Sequence, residues 1–138
     1  ALSIGLPGGR FYPAPGSRER DMSYVDGFVV AVPSANIEAC KDIARLAGEV
    51  WREHGALAYV EAIGDDVPYG ELTSFPRAVQ AKDDEVVVFS WILYPSREVR
   101  DEINRKVMAD ERMQSEEWRD VFDGKRMIYG GFRPFIEL

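Results

Sequence analysis

Val86-Val87-Val88-Phe89-Ser90-Trp91-Ile92-Leu93-Tyr94, closed by Pro95, is the stretch that decides the fold. β-Branched and aromatic residues fill it and a proline stops it, so it reads as a strand. Alternate side chains of a strand face opposite sides. Val87, Phe89, Trp91 and Leu93 share one face; Val86, Val88, Ser90, Ile92 and Tyr94 share the other. Both faces are apolar, so both need covering. One is expected to pack on the chain's own helices and the other on a second copy of the chain.

Residues 24–32, Tyr-Val-Asp-Gly-Phe-Val-Val-Ala-Val, form a second strand candidate, stopped by Pro33. Ser34 then caps a helix to about 54, in which Ile37, Cys40, Ala44, Ala47, Trp51 and His54 recur at three and four. Gly55 supplies its stop. Residues 56–63 read as a strand with Tyr59, Glu61 and Ile63 on one face. A long excursion follows over 64–85, with Leu72-Thr73-Ser74-Phe75-Pro76 as a short strand inside it. Beyond the deciding strand, Ser96 caps a helix to about 109 with an apolar stripe of Val99, Ile103 and Val107. A short helix is expected around Trp118. The last strand runs from 125 or 126 towards 136, bulged or bent at Gly130-Gly131. Strand, helix, strand, excursion, strand, helix, strand is the α+β, ferredoxin-like βαββαβ order. It predicts a four-stranded antiparallel sheet with helices on one face. Pairing of the bare face with a symmetry mate gives a dimeric α+β barrel.

The chain of 138 residues fits a single domain, and 46% hydrophobic residues suffice for a core. A formal net charge of −7 with no basic patch argues against a nucleic-acid partner. No apolar run approaches membrane-spanning length, so no membrane partner is expected. The one cysteine, Cys40, has no partner for an internal disulfide and falls at a core-like helical spacing. It reads as a buried structural thiol and fits a cytoplasmic location. Residues 1–21 hold four glycines and three prolines without periodicity. They are expected to be a flexible leader, with Met22 as a plausible start and 22–138 as the domain.

Five segments carry a resemblance. They are Tyr24-Val25-Asp26-Gly27-Phe28, Trp51-Arg52-Glu53-His54-Gly55-Ala56-Leu57, Leu72-Thr73-Ser74-Phe75-Pro76, Phe89-Ser90-Trp91-Ile92-Leu93-Tyr94-Pro95-Ser96-Arg97, and Asp123-Gly124-Lys125-Arg126-Met127-Ile128-Tyr129-Gly130-Gly131-Phe132. Together they resemble the YbaA-like family of small bacterial proteins of unassigned function, from 22 to about 137. The resemblance implies a dimeric α+β barrel and brings no established reaction. The wider superfamily it implies includes cofactor-free monooxygenases, haem-degrading enzymes and isomerases, so fold does not decide function. The haem-degrading group uses an Asn on the first strand, a Trp on the third and a His on the second helix. This chain offers Trp91 on the third strand but Asp26 on the first and no His on the second helix. Haem degradation is therefore disfavoured.

His54, the sole histidine, lies where a helix turns into a strand. It is either a general acid or base near neutral pH, or a cation facing the last helix carbonyls. Asp26 and Glu61 are acids inside apolar strands and need partners, for which Arg126 is the candidate. The three are expected to form one polar cluster, either a structural ion pair or a catalytic carboxylate with a raised pKa. Trp51, Tyr59, Phe75, Trp91 and Tyr129 either line a pocket for an apolar or aromatic substrate or simply pack the core. Ser74 has no Gly-x-Ser-x-Gly setting. Gly130-Gly131 precede no helix, so they make no phosphate cradle. No metal-ligand spacing appears, and no cofactor is called for.

The expectation is thus a cytoplasmic homodimer that binds a small apolar or aromatic metabolite. Its chemistry would be of cofactor-independent oxygenase or isomerase type. The alternative is a non-catalytic dimeric binding or stress-related module.

Overall fold

The computed structural model describes residues 23–138, and the expected leader and Met22 lie outside them. The strands are β1 (Tyr24–Pro33), β2 (Ala58–Ile63), β3 (Glu85–Tyr94) and β4 (Ile128–Phe132). The helices are α1 (Ile37–Glu53), α2 (Phe75–Ala78) and α3 (Arg97–Ala109). The sheet order is β2-β3-β1-β4, with every neighbouring pair antiparallel. The two most apolar strands therefore lie in the middle, as the deciding stretch required.

Helices α1 and α3 cover one face. Val50 of α1 and Ile103 and Val107 of α3 pack on Tyr24, Ile92 and Tyr94 in one core cluster. Cys40 joins Val30, Val32 and Val88 in a second. Ser96 starts α3 by accepting a hydrogen bond from the Val99 amide at 3.1 Å. Gly55, at φ +117°, ends α1 in a conformation that other residues rarely adopt. The start of α1 departs from expectation. A 3-10 turn over Ser34–Asn36 precedes it, and the helix proper begins at Ile37 without a side-chain cap.

The other face is only partly covered. The excursion folds back over one end of it, where Val79 packs with Val29, Ala31 and Val87. Elsewhere large apolar side chains stay bare: Phe89 is 42% exposed, Ile128 45% and Phe132 64%.

Two local expectations are corrected. Leu72 to Pro76 is not a strand, because Ser74 accepts a hydrogen bond from the Arg77 amide at 3.1 Å and Pro76 follows in the first turn. That combination starts a helix, here the single turn of α2. The last strand begins later than expected, at Ile128, because Asp123 caps a 3-10 turn over Gly124–Arg126. Its register on β1 then runs unbroken from Ile128 opposite Val29 to Phe132 opposite Val25, so Gly130-Gly131 form no bulge. Gly131 has a steric reason instead: a side chain there would run into the Tyr24 phenol. Among the described residues, no helix is long and apolar enough to cross a membrane.

Candidate functional site

A cleft of about 220 Å³ opens between α1, the helix-facing side of the sheet and the strap over 113–127. Its existence follows from residue size. Of the α1 residues that line it, Cys40, Ala44 and Ala47 are too short to fill the space down to the sheet, and Ile43 and Trp51 border it as the larger side chains. Phe28 of β1 and Ile92 of β3 form the floor, and Trp118, Phe122 and two methionines of the strap close the far wall. Trp51 stands at one end with its ring centroid 6.0 Å from that of Tyr59. The Trp51 indole donates to Asn104 Oδ1 of α3 at 3.1 Å, and the Tyr94 hydroxyl donates to the same oxygen at 3.3 Å. Asn104 thus fixes the indole's orientation from the helix behind it. On the other side of Tyr59, the α1 backbone approaches so closely that a Cβ on Gly48 would lie 2.8 Å from the ring.

The polar groups of the cleft are few. The Tyr59 hydroxyl donates to Glu61 Oε2 at 2.7 Å. Ser90 lies opposite Glu61 on β3. Burial, reinforced by the Glu61 charge, pushes the Tyr59 phenol far above its ordinary value, so it stays protonated. Glu61 is on an edge strand that leaves part of it in water, while the apolar walls strip water from the rest. That desolvation raises its carboxyl above the ordinary 4.5, and the Tyr59 hydrogen bond pulls part of the way back. The Cys40 thiol is also pushed up, by burial first and the Glu61 charge second, which keeps it an unreactive thiol.

The expected cluster of Asp26, Glu61 and Arg126 does not form. Arg126 belongs to the turn before β4, where its guanidinium grips both Glu85 carboxylate oxygens at 2.7 Å. It also donates to Asp123 at 3.0 Å and to the Gln80 carbonyl at 2.8 Å. Asp26, buried at the far end of β1, faces α3 and meets Arg100 Nη1 at 3.7 Å. Arg100 also donates to the Tyr24 hydroxyl at 3.2 Å. His54 is outside the cleft lining. Its Nε2 meets Asp110 Oδ2 at 3.1 Å, and Arg112 ties Asp110 to Glu53. Arg112 first and His54 second hold the Asp110 carboxyl far below the usual carboxylate range. The network clasps the end of α1 to the end of α3.

The aromatic set divides by strand alternation. Trp51 and Tyr59 line the cleft. Trp91 lies on the opposite face of the sheet, in register with Gly27. Phe75 is there too, meeting Phe89 edge-on at 6.0 Å. Tyr129 is largely exposed and stacks behind Phe28 at 6.4 Å. The sequence reading expected a short helix around Trp118, where the structure has a 3-10 turn over Glu116–Asp120, but gave this strap no part in the site. Trp118 and Phe122, four residues apart in an otherwise acidic stretch, were its available signal. Among the described residues, no three His, Cys, Asp or Glu side chains gather as a metal site.

The profile of DUF1428, described as a protein of unknown function, matches residues 23–124. The chain belongs to this family. Within it, the chain is 53% identical over 116 residues to the uncharacterized protein YbaA of Escherichia coli, covering 84% of this chain and 99% of that one. YbaA of Shigella flexneri matches to the same extent. The expected YbaA-like resemblance is therefore correct. Three solved structures share the fold of this DUF1428 protein. A mutant of SnoaB, a cofactor-independent oxygenase from Streptomyces nogalater, gives a TM-score of 0.53 at 15% identity over 84% of this chain and 96% of that one. A dimeric ferredoxin-like protein from an uncultured marine organism gives 0.53 at 10% identity with the same coverage. A nipsnap family protein of unknown function from Agrobacterium tumefaciens gives 0.52 at 15%, over 83% and 89%. At such identities the likeness is one of fold, and the fold is the expected ferredoxin-like α+β class.

Proposed function

We propose that this DUF1428 protein is a cytoplasmic homodimer that binds a small apolar or aromatic molecule in the cleft beside Trp51. Glu61 would act there as the base of a cofactor-independent reaction of oxygenase or isomerase type. One observation carries the reading: the Tyr59–Glu61 pair, 2.7 Å apart, is set into the wall of an otherwise apolar cleft of about 220 Å³. An apolar cavity of about 150 Å³ already takes up benzene, so this one matches a substituted or fused ring. A carboxylate with a raised pKa in an apolar wall is a competent proton acceptor near neutral pH. The proton of an acidified C–H or O–H would pass to Glu61, leaving its electron pair on the substrate as an enolate or phenolate. Once Glu61 has taken the proton, the Tyr59 hydroxyl that had donated to it can turn to donate to such an oxyanion. Return of the proton to another carbon completes an isomerisation. Transfer of the electrons to dioxygen begins an oxygenation, the reaction class named for SnoaB.

On this reading Asp26, Arg126 and His54 shape the walls, through Arg100, Glu85 and Asp110. The bare sheet face with Phe89, Ile128 and Phe132 supports dimerisation, as does the dimeric state named for one structural neighbour. The unpaired Cys40 thiol supports a reducing compartment. The test is thermal shift with 2-naphthol as probe. The melting temperature should rise in the native protein and in the control Phe135→Ala, and stay put in Ala44→Leu, which fills the cleft from α1. A rise of equal size in Ala44→Leu, or none in the native protein, would overturn the assignment.

A further inference from the structure

The cleft does not end at Glu61. It continues into a lobe of about 320 Å³ between α1 and β2 that shares Cys40, Ala44 and Glu61 with it. Two cations line this lobe from the helix, Lys41 and Arg45, one turn apart on the same side of α1. Arg45 also borders the shallow groove that continues along Gly48 and Tyr59. Its neighbours in this row are engaged. Arg52 spends its guanidinium on the carbonyls of Ala56 and Leu57, at 2.6 and 2.5 Å. Lys41 reaches Glu38 at 3.2 Å on the surface. Arg45 alone of the three makes no hydrogen bond or ion pair among the described residues.

An acidic protein repels anions at long range, so an anionic ligand needs a local cation to hold it. A guanidinium is the best side chain for that, because its planar fork accepts a carboxylate through two parallel hydrogen bonds. We propose that the ligand of this cleft is an apolar or aromatic molecule bearing one carboxylate-like anionic group. Its ring enters beside Trp51 and Tyr59, and its anion is held at the mouth by Arg45 with Lys41 behind it. This rests on the cleft being the binding site and adds the ligand's charge and direction. Three carboxylates lie near the mouth, and Glu49 borders the outer groove beside Arg45 without pairing with it. Glu38 is neutralised by Lys41, and Glu61 turns one oxygen to the Tyr59 hydroxyl. A bound anion beside Glu61 would raise its carboxyl further, which strengthens rather than spoils its use as a base.

The test compares two probes of one shape, 2-naphthoate and the neutral 2-naphthalenemethanol, titrated by tryptophan fluorescence. The readout is the ratio of their affinities. The native protein should prefer naphthoate by about tenfold at low ionic strength, with the preference shrinking as salt rises. Arg45→Gln should bring the ratio close to one and Arg45→Glu should invert it. Arg97→Gln, at the exposed start of α3, should leave it unchanged. Equal affinities in the native protein, or a preference that survives Arg45→Gln, would overturn the anion assignment while leaving the cleft standing. Failure of both probes to bind would overturn the cleft and the anion site together.

Discussion

In the proposed homodimer, Phe89→Glu should shift the protein from dimer to monomer at micromolar concentration. Phe89 lies on the sheet face that α1 and α3 leave open, opposite Val29 of β1 and Ala62 of β2. It is 42% exposed in the single chain. For an aromatic side chain of about 200 Å², that leaves about 80 Å² of apolar surface for a second copy to cover. At about 25 cal/mol per Å², its burial is worth about 2 kcal/mol. A twofold interface makes the same contact twice, so the loss is about 4 kcal/mol, or roughly a thousandfold in Kd. The introduced carboxylate adds a desolvation cost in the same direction. The fold should survive, because the position is already partly open to water. Sedimentation equilibrium over protein concentrations of about 1 to 100 μM reads the change by mass action, and far-UV circular dichroism confirms the fold. A Phe89→Glu protein as dimeric as the native one would refute the assignment of this face.

Three further outcomes follow from the site. Gly48→Ala should lower stability although alanine favours helices by about 1 kcal/mol, because the new Cβ, 2.8 Å from the Tyr59 ring, forces an overpacking cost of about 1–3 kcal/mol; urea denaturation checks the sign, and a stabilised variant would contradict the close contact. Glu61→Gln should change the pH profile. The folded carboxyl titrates above its ordinary 4.5, so the native protein loses stability as pH rises through the folded value, and a melting series in which the variant does not flatten that decline would count against the buried setting of Glu61. Arg126→Met should act in the opposite window. Arg126 holds Glu85 down to about 2, so the pair's contribution is present above 4.5 and is lost as pH falls towards 2, and the variant should lack this acid-limb loss in urea midpoints measured across that range.

The β3 stretch carried most of the fold in its own residues. Its two apolar faces demand a layer on each side, and the order of elements around it admits one familiar topology. The register of β1 on β3 then follows from burying Tyr24, Val30 and Val32 with Ile92 and Val88. The site was less legible, because strand alternation and helix phase place side chains that sequence proximity cannot. Trp91 and Tyr59 look alike in an aromatic inventory, yet they point to opposite faces. Arg126 looked like the partner of a strand acid because it was assigned to β4. The Asp123 cap put it in a turn, where Glu85 and the Gln80 carbonyl were nearer. The strap's part in the site escaped notice for a related reason: its 3-10 turns have no apolar period, and Trp118 and Phe122 acquire meaning only once Cys40, Ala44 and Ala47 of α1 are seen to leave space beside them.

The three tryptophans divide the molecule in a way that suits one decisive measurement. Trp51 and Trp118 line the cleft, and Trp91 faces the other side of the sheet. With 5-fluorotryptophan incorporated, the fluorine spectrum should show three resonances, and titration with 2-naphthol should move those of Trp51 and Trp118 while leaving that of Trp91 in place. Assignment by single Trp→Phe replacements identifies each line. Movement of the Trp91 resonance alone would put the ligand on the open face and contradict the account.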